Sequence, residues 1–501
     1  MRVRGTAGLP DPLPVWRVIR GCRQFRSRAG MPLANLLTQV LWLVLASLAI
    51  LFSAVPARAQ PVDVPATWGG DFSSRPRLTG DWGGSRDELG KKGVVLDVDF
   101  ISTPMVVYSG GRSTGGETWS NFYYTLNVDT QKAGLWPGGF LKLQGNTGLG
   151  TNLFDYSGAI VPVNTAGLLP AQNDHTTALT NATFMQFLSE KFGLVIGKIN
   201  TLEANEQEFY GNYYTQFLNA AFTFPMSLEQ VPLSAYGGGA IALPTKDSIL
   251  SIVALDPNGK ATSNSFDDIF NNGVMLVGSG QLTIRPYGLL GHQNLGFSWS
   301  NKERFSLDQD PSNIATLLLQ EQFPRLADPG PYLERILARF FPGLLEPTQP
   351  ANRTSSSWSV SYAFDQYLWQ PANDAKHGVG IFISVGASDG NPNPIKWAFL
   401  AGVGGKGVVS SRLDDSFGFG WARTQFSSAF LPYLRDSLNL GLDHEDAVEM
   451  YYNVAITGWL DATADLQLVN PALKKAVNPN AAGLVGVQNA TIAGVRVRVR
   501  F

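Results

Sequence analysis

Between residues 201 and 233 the chain gathers side chains suited to hydroxyl-rich solutes. Glu203, Glu206 and Glu208 are followed at once by Phe209, Tyr210, Tyr213, Tyr214 and Phe217. Carboxylates accept hydrogen bonds from sugar hydroxyls, and aromatic faces stack on the apolar C–H face of a pyranose. Lys198 stands just ahead, in Gly197-Lys198-Ile199-Asn200. Lys142, Gln144 and Asn146 alternate with Leu141 and Leu143, which turns one polar row to a single side. Cations on one wall facing carboxylates on another set up a transverse field that orients polar solutes. Plainer roles compete, because loop aromatics also serve packing and a polar row also simply meets water. Lys142, Lys198, Glu203, Glu206, Glu208, Tyr210, Tyr213 and Tyr214 are thus the candidate solute contacts.

Patterns of enzyme chemistry dissolve on inspection. Gly402, Gly404 and Gly407 have dinucleotide-site spacing, but no helix pattern follows in 408–416 to receive a pyrophosphate. Lys406 precedes Gly407 rather than Ser or Thr, so it is no phosphate-loop lysine. His175, His292, His377 and His444 lack ligand spacing, and no G-x-S-x-G occurs. The only cysteine is Cys22. A net charge of −2 leaves no basic footprint for nucleic acid. Neither cofactor nor metal is expected.

The elements that must position such contacts are strands. Charged residues are 16% of the chain, against roughly 25% in soluble domains, while aromatics reach 11% and glycines number 53. Hydrophobics are only 44%, and mean hydropathy is −0.02, values that suit a wall alternating lipid-facing and water-facing residues. Dyad alternation recurs after residue 60. Phe122, Tyr124, Leu126 and Val128 oppose Tyr123, Thr125, Asn127 and Asp129, and Trp358, Val360, Tyr362 and Phe364 oppose Ser359, Ser361 and Asp365. About sixteen such segments run from 94–108 to 489–501, an even number that suits an all-β transmembrane antiparallel barrel. Short links (189–193, 244–247, 458–459) mostly alternate with long ones (148–178, 201–233, 257–273, 300–356, 424–447, 470–488), although 109–117, 389–394 and 404–416 break the rule. Short periplasmic turns and long external loops are the mark of an outer-membrane barrel.

Ahead of the strands, Leu33 to Phe52 is an apolar run preceded by Arg23, Arg26 and Arg28 and followed by Ala57-Arg58-Ala59. A signal peptide cleaved before Gln60 is expected, with 1–59 removed, 60–93 periplasmic and 94–501 forming the barrel. Lumen-facing Arg496, Arg498 and Arg500 on the last strand are expected to pair with Asp97, Asp99, Asp461 and Asp465 and so seal the closing seam. The terminal Phe501 is expected to be read by the barrel-assembly machinery.

Two stretches resemble the carbohydrate-selective porin (OprB) family. They are Leu78-Thr79-Gly80-Asp81-Trp82-Gly83-Gly84-Ser85-Arg86-Asp87-Glu88-Leu89 with Lys92-Gly93-Val94, and Asp443-His444-Glu445-Asp446 through Tyr452, Thr457-Gly458-Trp459-Leu460 and Asn470-Pro471. Phe364-Asp365-Gln366-Tyr367-Leu368-Trp369 and Ser388-Asp389-Gly390-Asn391-Pro392-Asn393-Pro394 match its pattern too. The resemblance implies a sixteen-stranded outer-membrane pore for small sugars and similar solutes, found in lipid as a monomer or homotrimer. The third external loop, 201–233, is then expected to fold inward as the constriction. Segment 304–350 departs from the family as a long insertion with helical spacing. It keeps open an adhesive or structural barrel with a plugged lumen. A barrel hydrolase of the outer membrane is the other alternative, for which no motif nominates a catalytic set.

Overall fold

The computed structural model describes residues 64–172, 175–205, 207–263, 266, 268–309, 335, 339, 352–372, 374, 376–430, 432, 435, 439–477 and 484–501. The signal peptide expected at 1–59 lies outside the described residues, and so does most of the helical spacing expected in 304–350. Of two compact units, 1–55 and 56–501, only the second is described.

Among the described residues sixteen strands form one closed antiparallel barrel in sequence order. They are β1 (Val94–Gly111), β2 (Gly115–Asp129), β3 (Gly139–Gly150), β4 (Thr177–Ser189), β5 (Phe192–Asn200), β6 (Ser234–Thr245), β7 (Ser248–Leu255) and β8 (Met275–Ile284). The second half comprises β9 (Gly291–Ser300), β10 (Ser357–Trp369), β11 (Gly378–Ser388), β12 (Ile395–Lys406), β13 (Ser416–Phe426), β14 (His444–Thr457), β15 (Leu460–Asn470) and β16 (Gln488–Arg500). Each pairs with its neighbours, and β16 pairs back onto β1. Closure matters because lipid offers no partner to an unpaired backbone group, so a spanning sheet tolerates no edge.

Alternation decides which face each side chain meets. Along β10, Ser357, Ser359, Ser361, Ala363 and Asp365 are buried toward the lumen, while Trp358, Val360 and Tyr362 are exposed on the other face. Leu250, Ile252, Leu282, Leu295, Phe297 and Trp299 continue that apolar outer surface, the face a bilayer covers.

The seam is closed by charge as well as by the ladder. Arg498 Nη2 lies 2.9 Å from Asp99 Oδ2, and Arg500 Nη2 lies 3.1 Å from Asp461 Oδ2. Asp97 takes different partners from those expected, Arg77 at 2.9 Å and Arg86 at 2.8 Å. Arg86 belongs to helix α1 (Ser85–Lys91), which the chain enters through Gly83 and Gly84, both at positive φ (66° and 89°) where a side chain is strained. Its guanidinium is buried and also donates to the carbonyls of Leu96 (2.9 Å) and Phe501 (3.0 Å). Leu78 N donates to Arg500 O at 2.7 Å, and Trp459 Nε1 donates to Phe72 O at 2.7 Å. Residues 72–91 therefore clasp both sides of the seam at the end of the barrel that carries the short turns.

Arg498→Ala removes a charged hydrogen bond from this seam, a contribution of about 1.5–3 kcal/mol. The expected outcome is loss of the compact SDS-resistant form at lower temperature, with ion selectivity little changed. A large swing in cation-to-anion permeability with heat resistance intact would instead make the arginine row a selectivity ladder.

Candidate functional site: the lumen and its inward loops

Residues 201–233, here L3, leave β5 and fold into the barrel. The sequence drives this because the loop is rich in aromatics and apolar residues, whose burial against the lumenal wall is favourable. Phe209, Tyr210, Phe217, Leu218, Phe222 and Met226 all join one buried cluster with Tyr367, Phe382 and Tyr451 of the wall. Phe217 stacks on Phe222 at 4.6 Å and meets Tyr451 edge-on at 4.8 Å; Tyr210 lies 5.0 Å from Phe382, and Phe209 lies 4.8 Å from Tyr367. The wall is hollowed to receive them. A Cβ at Gly404 would come within 2.8 Å of Phe209, one at Gly418 within 2.8 Å of Phe217, and one at Gly420 within 2.6 Å of Phe222. Gly404, part of the glycine pattern that mimics a nucleotide motif, is thus a seat for a loop ring.

Polar bonds hold L3 to the last three strands. Glu449 of β14 accepts from the backbone N–H of Leu218 (2.5 Å) and Asn219 (3.0 Å). Arg496 of β16 donates to the carbonyls of Tyr213 (3.0 Å) and Gln216 (2.7 Å) and to Thr463 Oγ1 (2.8 Å). Arg496 therefore fastens the loop as well as bonding across to β15, and the expected partner Asp465 accepts from Gln467 Nε2 at 2.9 Å.

A second loop, residues 151–176 (L2), also turns inward, which the sequence reading did not anticipate. Leu153, Val161, Val163 and Leu169 are buried. Glu445, four positions before Glu449 on the same face of β14, accepts from the N–H of Ile160 (3.0 Å) and Val161 (2.9 Å). L2 and L3 meet where Thr165 donates to Leu218 O (2.8 Å), and Gln467 of β15 bonds both Val163 O and Asn219 Nδ2. The signal that could have found L2 is the pair of lumen-facing glutamates, since a carboxylate on a lumenal wall needs a donor.

Beneath L3, on the short-turn side, two polar cavities open. The smaller, about 370 Å³, is lined by Asp99, Tyr123, Thr125, Lys142, Gln144, Glu203, Tyr213, Tyr214 and Arg498. Its centre is Glu203. Lys142 Nζ donates to its carboxylate at 2.5 Å, Gln144 Nε2 at 2.6 Å and Tyr214 Oη at 2.9 Å, and Tyr213 Oη donates to Tyr214 Oη at 3.0 Å. Burial alone pushes the Glu203 carboxyl up, but the Lys142 charge and the donated hydrogen bonds outweigh it and hold the group below the usual carboxylate range. Burial, with Tyr213 and Glu203 beside it, pushes the Tyr214 hydroxyl well above its ordinary value, so it remains a donor. The Arg498 guanidinium lies 5.3 Å over the Tyr214 ring, a cation–π arrangement.

The larger cavity, about 650 Å³, is lined by Gln207, Glu208, Asn212, Gln216, Gln281, His292, Asp414, Asn453, Asp461 and Arg500 among others. Glu208 accepts from Tyr367 Oη at 2.5 Å. The candidates thus divide. Lys142, Glu203, Tyr213 and Tyr214 come together in one cavity, and Glu208 lines the other. Tyr210 is buried in packing. Lys198 stands apart, its ammonium donating to the carbonyls of Ala261 and Ser263, both at 2.7 Å. Glu206 lies outside the described residues.

A closed sixteen-stranded barrel whose loops fold inward to narrow a polar lumen is a channel of the outer-membrane porin class. The chain belongs to the carbohydrate-selective porin, OprB family, which it matches over residues 114–501. That span holds the resemblances at 364–369, 388–394 and 443–471 and begins after the one at 78–94. The protein is accordingly a porin of the outer membrane, and its family and fold are those of channels. Its fold is shared with the high-pH structure of Pseudomonas putida OprB, at 20% identity and a TM-score of 0.69, over 86% of this chain and 100% of that one. The low-pH structure of Pseudomonas putida OprB matches at 16% identity and a TM-score of 0.50, over 86% of this chain and 99% of that one. No curated protein gives a match.

Proposed function

We propose that solutes cross this porin passively and that Lys142, Glu203, Tyr213 and Tyr214 supply the contacts that favour carbohydrates. The observation that carries the reading is the composition of the 370 Å³ cavity. It sets the Lys142–Glu203 pair beside tyrosine rings, with the charge of Arg498 already balanced by Asp99 in the seam, below a loop that narrows the lumen. Its size lies within the roughly 300–1,000 Å³ of small-molecule sites. Weak contacts at several points offset the desolvation of hydroxyls without trapping the solute, so a preference needs no energy source. Glu208 and the carboxamides of the larger cavity would receive the solute next, whereas Tyr210 and Lys198 act by holding L3 and its neighbouring loop in place.

The finer steps of biogenesis belong to the same proposal. The precursor is cleaved after Ala59, the assembly machinery inserts the chain by its last strand, and the barrel stands in lipid as a monomer or homotrimer.

Glu203→Gln removes one negative charge beside Lys142, and Tyr214→Ala removes a stacking face and a donor. Each should weaken the block of ion current by glucose, and Glu203→Gln should also shift the reversal potential toward anions. Single-channel recording in a planar bilayer reads both. Unchanged glucose block in both variants would remove these residues from the solute path.

A further inference from the structure

The space above these cavities has a different chemistry. Between L3 and strands β7–β9 lies a cavity of about 260 Å³, and among the described residues that line it none carries a charge. Its wall side presents Ile249, Val253, Leu255 and Val277, and its L3 side presents Leu228 and Val231. Lumenal faces in a water-filled barrel are ordinarily polar, and here both faces of β7 are apolar, since Leu250 and Ile252 form the outer surface. The register runs Val253 opposite Val277, Ser251 opposite Ser279 and Ile249 opposite Gln281. The aliphatic stretch of Leu255, Val253 and Val277 therefore gives way to a hydroxyl pair, Ser251 and Ser279 at 2.7 Å, and then to Gln281 beside Ile249. At that lower end Asn294 Nδ2 donates to Gln207 Oε1, tying L3 to β9. Gln207 and Gln281 line both this cavity and the 650 Å³ one, so the apolar space adjoins the polar vestibule.

We propose that this space is a binding lane for uncharged glycosides that carry an apolar substituent, a phenyl or short alkyl group on the sugar. The substituent lies against the aliphatic wall, where its transfer from water is favourable. The sugar hydroxyls meet Gln207, Gln281 and Asn294 at the mouth and exchange with the Gln207–Asn294 bond. Free sugars gain less from such a wall, and ions gain nothing, since no lining charge replaces their hydration. The inference rests on the porin reading and adds to it a solute class and a lane distinct from the Glu203 cavity.

The test compares phenyl β-glucoside with glucose as blockers of single-channel current. In the full barrel the phenyl glucoside should block at about tenfold lower concentration, a difference near 1.4 kcal/mol. Ser279→Cys, folded first and then labelled with a bulky neutral maleimide, should lose that advantage, and so should Val253→Asn. Thr125→Cys labelled the same way fills the Glu203 cavity and should keep it. Equal block by the two solutes in the unmodified barrel overturns the proposal. So does an advantage that survives labelling at Ser279→Cys, or one abolished only by labelling at Thr125→Cys. Phenyl glucoside block that persists while glucose has no effect at any concentration supports the lane and sinks the free-sugar reading.

Discussion

Deleting residues 204–220 should raise single-channel conductance several-fold and abolish the preference for glucose over a neutral non-sugar of similar size. The segment carries Phe209, Tyr210 and Phe217 into the lumen and brings Tyr213 and Tyr214 to Glu203. The barrel ladder does not depend on it, because each strand pairs with its neighbours in the wall. Glu449→Ala is the single-residue counterpart. It removes the acceptor of two backbone N–H groups, each bond contributing about 1 kcal/mol or more, and should produce larger and noisier openings. Bilayer recording with liposome-swelling rates decides the matter. If the 204–220 deletion alters neither conductance nor relative swelling while deletion of 304–350 alone widens the pore, the insertion is the selective element and L3 is not.

Deleting Phe501 should cost most of the outer-membrane yield while leaving refolding in detergent nearly intact. The two effects separate because the seam has many bonds besides the two of Phe501, whose N–H donates to Val98 O at 2.8 Å and whose carbonyl accepts from Arg86. Pairing of β1 with β16 continues from Asp99 opposite Arg500 to Gly111 opposite Gln488 without it. A large loss in cells with efficient refolding in vitro assigns Phe501 to recognition by the assembly machinery. Loss of refolding as well would make the residue structural, and normal yield in cells would refute the recognition role.

The barrel was legible because its signal is local. A strand with one face in lipid and one in water must alternate, and sixteen segments showed that period, so 139–147 and 460–469 differ from β3 and β15 by three residues or fewer. The lumen was legible only in part. L3 announced itself through aromatics crowded into a loop, but its grip on Arg496 was hidden, because one arginine in an alternating row looks like the next. L2 gave no such signal: Val161 and Val163 are modest apolar residues, and their meaning comes from Glu445, hundreds of positions later. Lys198 misled for a related reason, since sequence shows a charge and not the two carbonyls that claim it. The strongest neglected hint was β7, Ser-Ile-Leu-Ser-Ile-Val-Ala-Leu, apolar on both faces where an ordinary lumenal strand has one polar face.

The two glutamates of β14 have a consequence in time. Ile160 and Glu445 are 285 positions apart, and Leu218 and Glu449 are 231 apart. Contacts of such separation form late, after the intervening chain has lost its freedom. L2 and L3 can find these anchors only once β14 has been made, so the aperture cannot be complete before the late strands are in place. A barrel whose strands closed before L2 and L3 docked would be a wider and less discriminating leak than the mature one. A cell that inserts this chain is safest when closure and loop docking follow each other quickly, and slow variants of Glu445 or Glu449 should betray themselves as transient sensitivity to large antibiotics while the protein is being made.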